Sequence, residues 1–513
     1  MKINYIPTGN ERIAIPEIVE ADASIQSINF LHMGYKGLVE IRGGSIKDSA
    51  LMQPVIKIGG TKKELTNIHW NRVNYWIPSF EADCGEIRVS GVIIAPVSER
   101  GFIYRLSVVN RGHMEASVSL GVSGSWQETL HTINESKPMH GIKHAYGSGW
   151  NNSFVFDFRD TAPVFSLAPI YEEKMEVEFY ERKEDGSIRY ELFKEYNLQP
   201  GDRGAVTFYW GLGFEEVGAA TAAKEMMRKG FEKEWVDTTK WLSCRQKISG
   251  NGVLDQLLNM NLFFNFFYAS GITLDTEDFV LVTSRSPRYY VSAAYWDRDS
   301  LLWSFPSILL TDQEHAKGML EYVFTRQIKN VGIHSRYIDG TILEPGFELD
   351  ELCAPVIALH NYIKQTQNSA ILTERYIIKG IERILSILDS KKNERADLYE
   401  TFLQPTDDLI VYPYLTYDNV LVWKALLCIA EMMAGVKEDQ FCCSLKAQAE
   451  RIKEAVWKHC IFELDGKKIF AWSTDLEGRW NAYDEPPGSL QLLPFYGFCS
   501  SADEVYRLSL IYI

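Results

Sequence analysis

The 513-residue chain has no window approaching the roughly 18 apolar residues that a membrane-spanning helix requires. Residues 1–24 also lack a continuous apolar core followed by a cleavage signal. No membrane partner is expected. None of the eight cysteines forms a CxxC pair, and the adjacent Cys442 and Cys443 are poorly placed for both to join disulfides. Reduced thiols and a cytoplasmic setting are therefore expected. Positive charge is in short supply: 53 Lys and Arg against 68 Asp and Glu give a net charge of −15. That balance argues against nucleic acid or an anionic membrane as partner and is compatible with a neutral substrate. Coiled-coil heptads and short-period repeats are absent too. Aromatic rings, by contrast, are plentiful, with 13 Trp, 26 Tyr and 26 Phe. Most belong in cores, but the same rings present flat faces to the C–H surfaces of sugars. The length predicts more than one domain.

The hydrophobic period changes along the chain. Up to about residue 214 it is two. Ala116, Val118, Leu120 and Val122 alternate with Ser117, Ser119, Gly121 and Ser123. Phe154, Phe156 and Phe158 alternate in the same way, as do Met175, Val177 and Phe179, and then Val206, Phe208, Trp210 and Leu212. This pattern puts one face of a strand on a core, and Asp185-Gly186 reads as a hairpin turn. An antiparallel β-sandwich over residues 1–214 is expected. Residues 215–241 read as one connecting helix, in which Gly218 and Gly230 are poor helix formers, within a helical linker at 215–249. Beyond residue 250, helices are expected near 299–310, 313–329, 352–366, 371–389, 418–434, 439–458, 488–497 and 502–511, after a first one starting at Leu254.

Four loops in this helical half concentrate chemistry, as functional loops over a scaffold commonly do. The first is Ala294 to Ser300, where Asp297, Arg298 and Asp299 follow Trp296. Asp299 and Ser300 could simply cap a helix, but Arg and Asp also make charge-assisted hydrogen bonds to hydroxyls. The second runs from Glu344 to Cys353 and holds Glu348, Asp350 and Glu351. A helix dipole favours one or two carboxylates in a first turn, and four acidic residues within eight exceed that need. The third, Phe402 to Asn419, sets Asp407 and Asp408 among Tyr412, Tyr414 and Tyr417. Paired carboxylates between aromatic walls are a way to hold a general acid protonated near neutral pH; a solvated turn after Pro405 is the plainer reading. The fourth, Tyr483 to Phe498, places Asp484 and Glu485 before a Leu-rich stretch.

Trp296 to Ser300 resembles the first conserved loop of inverting glycosidases with (α/α)6 barrels, including glucoamylases and trehalase-like enzymes. Phe347 to Cys353 resembles the aromatic–Glu–x–Asp–Ser–Leu–Cys pattern of glycoside hydrolase family 125, the metal-independent exo-α-1,6-mannosidases, with Glu351 in place of Ser. Gln404-Pro-Thr-Asp-Asp408 with Tyr412, Tyr414, Leu415 and Asn419 is similar to that family's Arg–Pro–Ser–Asp–Asp loop, with Gln404 in place of Arg. Asp484-Glu485, Ser489-Leu490, Pro494 and Gly497 resemble a fourth family segment. The layout of β-domain and helical connector is similar to bacterial glucoamylases and inverting disaccharide phosphorylases.

The resemblance implies an inverting exo-acting α-glycosidase that takes an oligosaccharide or glycan, without metal or cofactor. It puts the general acid in the Asp407–Asp408 loop: Asp408 is the expected donor beside an ionised Asp407, and the reverse order stays open. Arg298 and Asp299 would bind the terminal sugar with Trp296, Glu348 and Asp350, and Asp484 and Glu485 are further substrate-binding candidates. In such barrels the base lies on the loop before the last helix. Residues 250–513 supply eight or nine of twelve helices, so the (α/α)6 barrel is expected to be C-terminally incomplete and the family's catalytic Glu has no counterpart. Exposed apolar helix faces, with low stability or self-association, would follow. A glucoamylase-like α-glucosidase, an inverting phosphorylase and a sugar-binding pseudoenzyme without a base remain the alternatives.

Overall fold

The computed structural model describes residues 3–44, 49–485 and 488–512. The chain divides into two compact units, Met1–Ala293 and Ala294–Ile513. The first is an antiparallel sheet domain. Its three large sheets have six, eight and five strands, and every named strand pair within them is antiparallel. They share one apolar core, to which Phe30, Leu106, Val118, Leu120, Trp126, Phe156, Phe208 and Trp210 contribute. The alternating runs at 116–122, 154–158 and 206–212 lie in the strands Ala116–Trp126, Phe154–Arg159 and Arg203–Gly213. The hairpin at Asp185-Gly186 also forms. Gly186 adopts φ 77°, and the Asp185 carboxylate accepts from the Ser187 N–H at 2.9 Å.

Three local expectations are corrected. The strand Val177–Arg182 lies at the end of its sheet, with Phe179 41% exposed, so its alternation marks an edge rather than a buried face. The connector is two helices, Glu216–Lys229 and Phe231–Ser243, separated at Gly230, whose φ of 81° ends the first. The helix expected at 488–497 is only a short 3₁₀ turn, Leu490–Leu492; Pro494 removes a donor, and Gly497 at φ 81° leaves the helical region. Residues 486 and 487, within the fourth loop, lie outside the described residues.

The helix Glu216–Lys229 packs on the strand Arg203–Gly213 through Ala219, Ala220 and Ala223. Gly211 and Gly213 make this approach possible, because a Cβ on either would stand 2.1–2.2 Å from helix backbone atoms. The helix Gly252–Tyr268 also belongs to the first unit.

In the second unit, the first three turns of the helix Leu349–Thr366 and most of the helix Thr416–Met432 are buried on nearly every face, the carboxyls Asp350, Glu351 and Asp418 included. Each packs on the other, and the second also on Asp439–His459. Arg375–Lys391 is amphipathic and buries Ile377, Ile381, Ile384 and Leu388. The expected 299–310 helix opens as a π-helical turn, Arg298–Ser304, in which the Phe305 N–H reaches back to the Ser300 carbonyl, and continues as Phe305–Thr311. Such turns are frequent at functional sites. All eight cysteines are free thiols. No helix among the described residues is long and apolar enough to cross a membrane.

Candidate active site

Main-chain contacts bring the second and third loops together. The N–H groups of Phe402 and Leu403 both donate to the Phe347 carbonyl, at 3.0 and 3.1 Å, and the Thr401 hydroxyl caps the Leu349 N–H. A tight turn follows: Asp407 N–H donates to Gln404 C=O, and Gln404 N–H to Asp408 C=O. Asp407 sits at φ 69°, a left-handed conformation that Asp tolerates better than most residues. That twist separates the two neighbouring aspartates. Asp407 turns inward, whereas Asp408 is exposed and accepts from the Thr406 hydroxyl at 3.2 Å. Gln404 steadies the turn, donating to Thr406 and accepting from the Trp472 indole N–H at 3.0 Å.

At the centre lies Arg298, 2% exposed. One guanidinium nitrogen donates to Glu348 at 2.6 Å and Asp350 at 2.7 Å, and the other to Asp407 at 2.7 Å. His334 adds a second basic group: its Nδ1 is 2.5 Å from Glu348 and 3.8 Å from Asp407. Burial lowers the His334 pKa, but the hydrogen bond and charge of Glu348 outweigh it and the net shift is upward. Glu348 is the converse, since burial pushes it up while Arg298 and His334 carry it below the usual range. The remaining carboxyls all move up. Burial, reinforced by Asp407 and Asp350 against Arg298, raises Asp299 to about 7. Burial raises Asp350 to about 6, with Arg298 opposing and Glu348 adding. Asp407 is raised by burial against Arg298. Beneath them Asp418, fully buried, is raised well above the usual carboxylate range, first by burial and then by Asp350 and Glu348, against Arg298.

Arg298, Asp299, Glu348, Asp350 and Asp407 thus come together as the sequence suggested. Trp296 is behind them, 2% exposed, with its ring edge-on to His334 at 5.5 Å. The Asp484 carboxylate accepts from the Ser489 hydroxyl and the Leu490 N–H, so it caps the turn that follows, and Glu485 beside it is half-buried. Sequence reasoning passed over His334, Arg336 and Asp418. A signal existed for the first two, because a His and an Arg two apart in the strand Ile333–Arg336 share one face. Asp418, one acidic residue in a helix's first turn, reads as an ordinary dipole partner.

His334, Glu348 and Asp407 bring ligand-type atoms within 4.8 Å of one another. Arg298 already binds both carboxylates, and a divalent cation placed there would face its guanidinium, so the donor set does not fit a metal well.

Residues 391–509 match the family model described as metal-independent alpha-mannosidase, GH125. The chain matches no curated protein. Among solved structures, a bacterial glucoamylase complexed with acarbose matches with a TM-score of 0.65 at 11% identity, covering 99% of this chain and 77% of its own. A provisional kojibiose phosphorylase from the human microbiome matches with 0.59 at 12% identity, covering 98% and 73%. A Streptococcus pneumoniae metal-independent alpha mannosidase, in a non-productive complex with alpha-1,6-mannobiose, covers 56% of this chain and 76% of its own at 18% identity. Its TM-score of 0.44 is too low to carry the fold. The expected likeness to six-hairpin glycosidases is borne out by the fold, and the match over residues 391–509 supports a glycoside hydrolase with the signature of the GH125 metal-independent alpha-mannosidases.

Proposed function

We propose that this chain is an inverting, exo-acting α-glycosidase of mannosidase type that removes a terminal sugar from an oligosaccharide or glycan. The observation that carries the reading is the gathering of Glu348, Asp350 and Asp407 on one buried arginine. Four carboxyls, Asp299 included, face one guanidinium, Arg298, and one imidazole, His334. With carboxylates in excess and solvent excluded, at least one proton is retained near neutral pH.

Asp407 is best placed to use that proton. Its side chain is 29% exposed where Glu348 and Asp350 are fully enclosed, so it can reach a leaving-group oxygen. Asp407 is therefore our proposed general acid, and Asp408 holds the turn through Thr406. Arg298 and Asp299 bind the terminal sugar, with Glu348 and Asp350 fixing the guanidinium and Trp296 backing His334. The attacking water requires a second carboxylate across the sugar, about 6.5–9.5 Å from the acid. The division into a sandwich at 1–214, a connector at 215–249 and an (α/α)6-barrel catalytic domain at 250–513 remains part of this proposal, as does a cytoplasmic setting, which the free thiols fit.

The test is release of monosaccharide from α-1,6-mannobiose, maltose and isomaltose, with the product anomer followed by NMR. Mannose released with inverted configuration, and only from mannobiose, is expected. Turnover of the glucosides instead would make it an α-glucosidase, and a requirement for phosphate a phosphorylase. Sugar binding without cleavage would leave a pseudoenzyme. Within an active enzyme, Asp407→Asn should lower kcat by about 10²–10⁴-fold and Asp408→Asn by far less; the opposite ranking would return the acid to Asp408.

A further inference from the structure

The first N–H groups of a helix have no acceptor within it. At the start of the turn Arg298–Ser304, one side chain supplies what is missing. The Glu351 carboxylate accepts from the Asp297 N–H at 2.5 Å and from the Arg298 N–H at 3.0 Å. Glu351 comes from a different helix, Leu349–Thr366, so this is a tertiary cap rather than a local one. The same carboxylate lies 3.4 Å from Arg336. Arg336 also pairs with the Asp297 carboxylate, whose other oxygen accepts from the Tyr295 hydroxyl at 2.5 Å. The result is a closed ring of Glu351, the Asp297 main chain, the Asp297 carboxylate and Arg336, with every member fully buried.

Arg298 leaves this ring directly. Its main chain is held by Glu351, and its guanidinium ends on Glu348 and Asp350, so one short segment fixes both ends of the side chain. Both Glu351 oxygens face N–H donors, while burial, with Asp297, Asp350 and Glu348 adding and Arg298 opposing, raises its pKa well above the usual carboxylate range. A serine, which the resembling pattern carries here, is too short and has a single oxygen for these three donors.

We infer that Glu351 is a positioning residue for the proposed glycosidase reaction: it fixes the main chain of Asp297 and Arg298, and so the direction in which Arg298 holds Asp407 and meets the sugar. This rests on the function proposed above.

The test compares wild type with Glu351→Gln and Glu351→Asp, using α-1,6-mannobiose as substrate and crystal structures of all three. Gln would turn an N–H donor group toward the existing donors, and Asp would keep the carboxyl one methylene short. For Glu351→Gln, kcat per folded molecule should fall about 10- to 100-fold, as for a catalytic group displaced by about 1 Å, while KM moves much less. Loosening Arg298 from Asp407 should also move the alkaline limb of the pH–kcat profile upward. Glu351→Asp should recover part of both. A lower melting temperature with kcat per folded molecule and the alkaline limb unchanged would overturn the inference and leave a purely structural cap. If wild type cleaves no glycoside, the function falls separately and the structures decide: Arg298 displaced from Asp407 in Glu351→Gln upholds positioning, and an unmoved Arg298 overturns it.

Discussion

Each unit buries a cluster of carboxylates around arginine, and the two clusters differ in charge balance. In the first unit, Glu17 and Glu40 are nearly inaccessible and are matched by two guanidiniums. Arg42 reaches Glu17 at 2.8 Å, and Arg288 reaches Glu17 at 3.0 Å and Glu40 at 2.7 Å, with the Ser27 hydroxyl completing Glu17. Two negative groups meet two positive ones. In the second unit Arg298 alone receives Glu348, Asp350 and Asp407, His334 helps with two of them, and Asp299 and Asp418 stand nearby without a cation of their own. A balanced network gives each carboxylate a guanidinium partner and acts as a fastening. A network with carboxyls in excess must retain protons near neutral pH, which is what general-acid chemistry needs.

The largest effect that could break this comparison is expected from Arg298→Met. Several buried carboxylates would lose their main cation, at a cost of about 3–5 kcal/mol in stability, and turnover by the folded fraction should fall about 10²–10³-fold or more. Denaturant melts and kcat per folded molecule read the two separately. Near-wild-type values for both would remove Arg298 from the centre of the site.

A smaller effect is expected from Arg288→Met in the balanced cluster. Arg288 is 38% exposed and Arg42 remains, so we expect a loss of about 1–3 kcal/mol with kcat per folded molecule unchanged. A loss of turnover comparable to that of Arg298→Met would show that the clusters are not functionally different.

The smallest effect is a pH dependence. Asp418 has its pKa raised on folding, so the folded chain holds a proton that the unfolded chain releases above pH about 4. Stability from this group is complete at low pH and declines as pH rises toward the folded pKa, by up to about 1.4 kcal/mol per pH unit. Asp418→Asn removes the decline. Its melting temperature relative to wild type should therefore climb as pH rises above about 4; a difference that stays flat with pH would mean that Asp418 carries no such proton.

Much of this was legible in the sequence where the cause is local. The strands at 116–126 and 203–213 follow from alternation, because side chains on successive strand residues point to opposite faces. The helices Leu349–Thr366 and Thr416–Met432 follow from long apolar runs. Arg298, Asp299, Glu348, Asp350 and Asp407 stood out because so many charges sit beside aromatics in loops. The edge strand at 177–182 was misread because alternation reports two faces and not whether either is covered.

What the sequence determined by itself, then, was the change from strand to helix, the acidic balance and the four loops in which the chemistry lies. Tertiary structure decided the rest. It turned Asp407 inward and left Asp408 in solvent, a choice made by one left-handed φ. It set Glu351, which reads as a cap for its own helix, on the amides of another. It placed His334 and Asp418 against carboxylates far away in the chain. Period and local charge are properties of neighbours in sequence, whereas desolvation and ion pairing sum over neighbours in space, and only the folded chain supplies those.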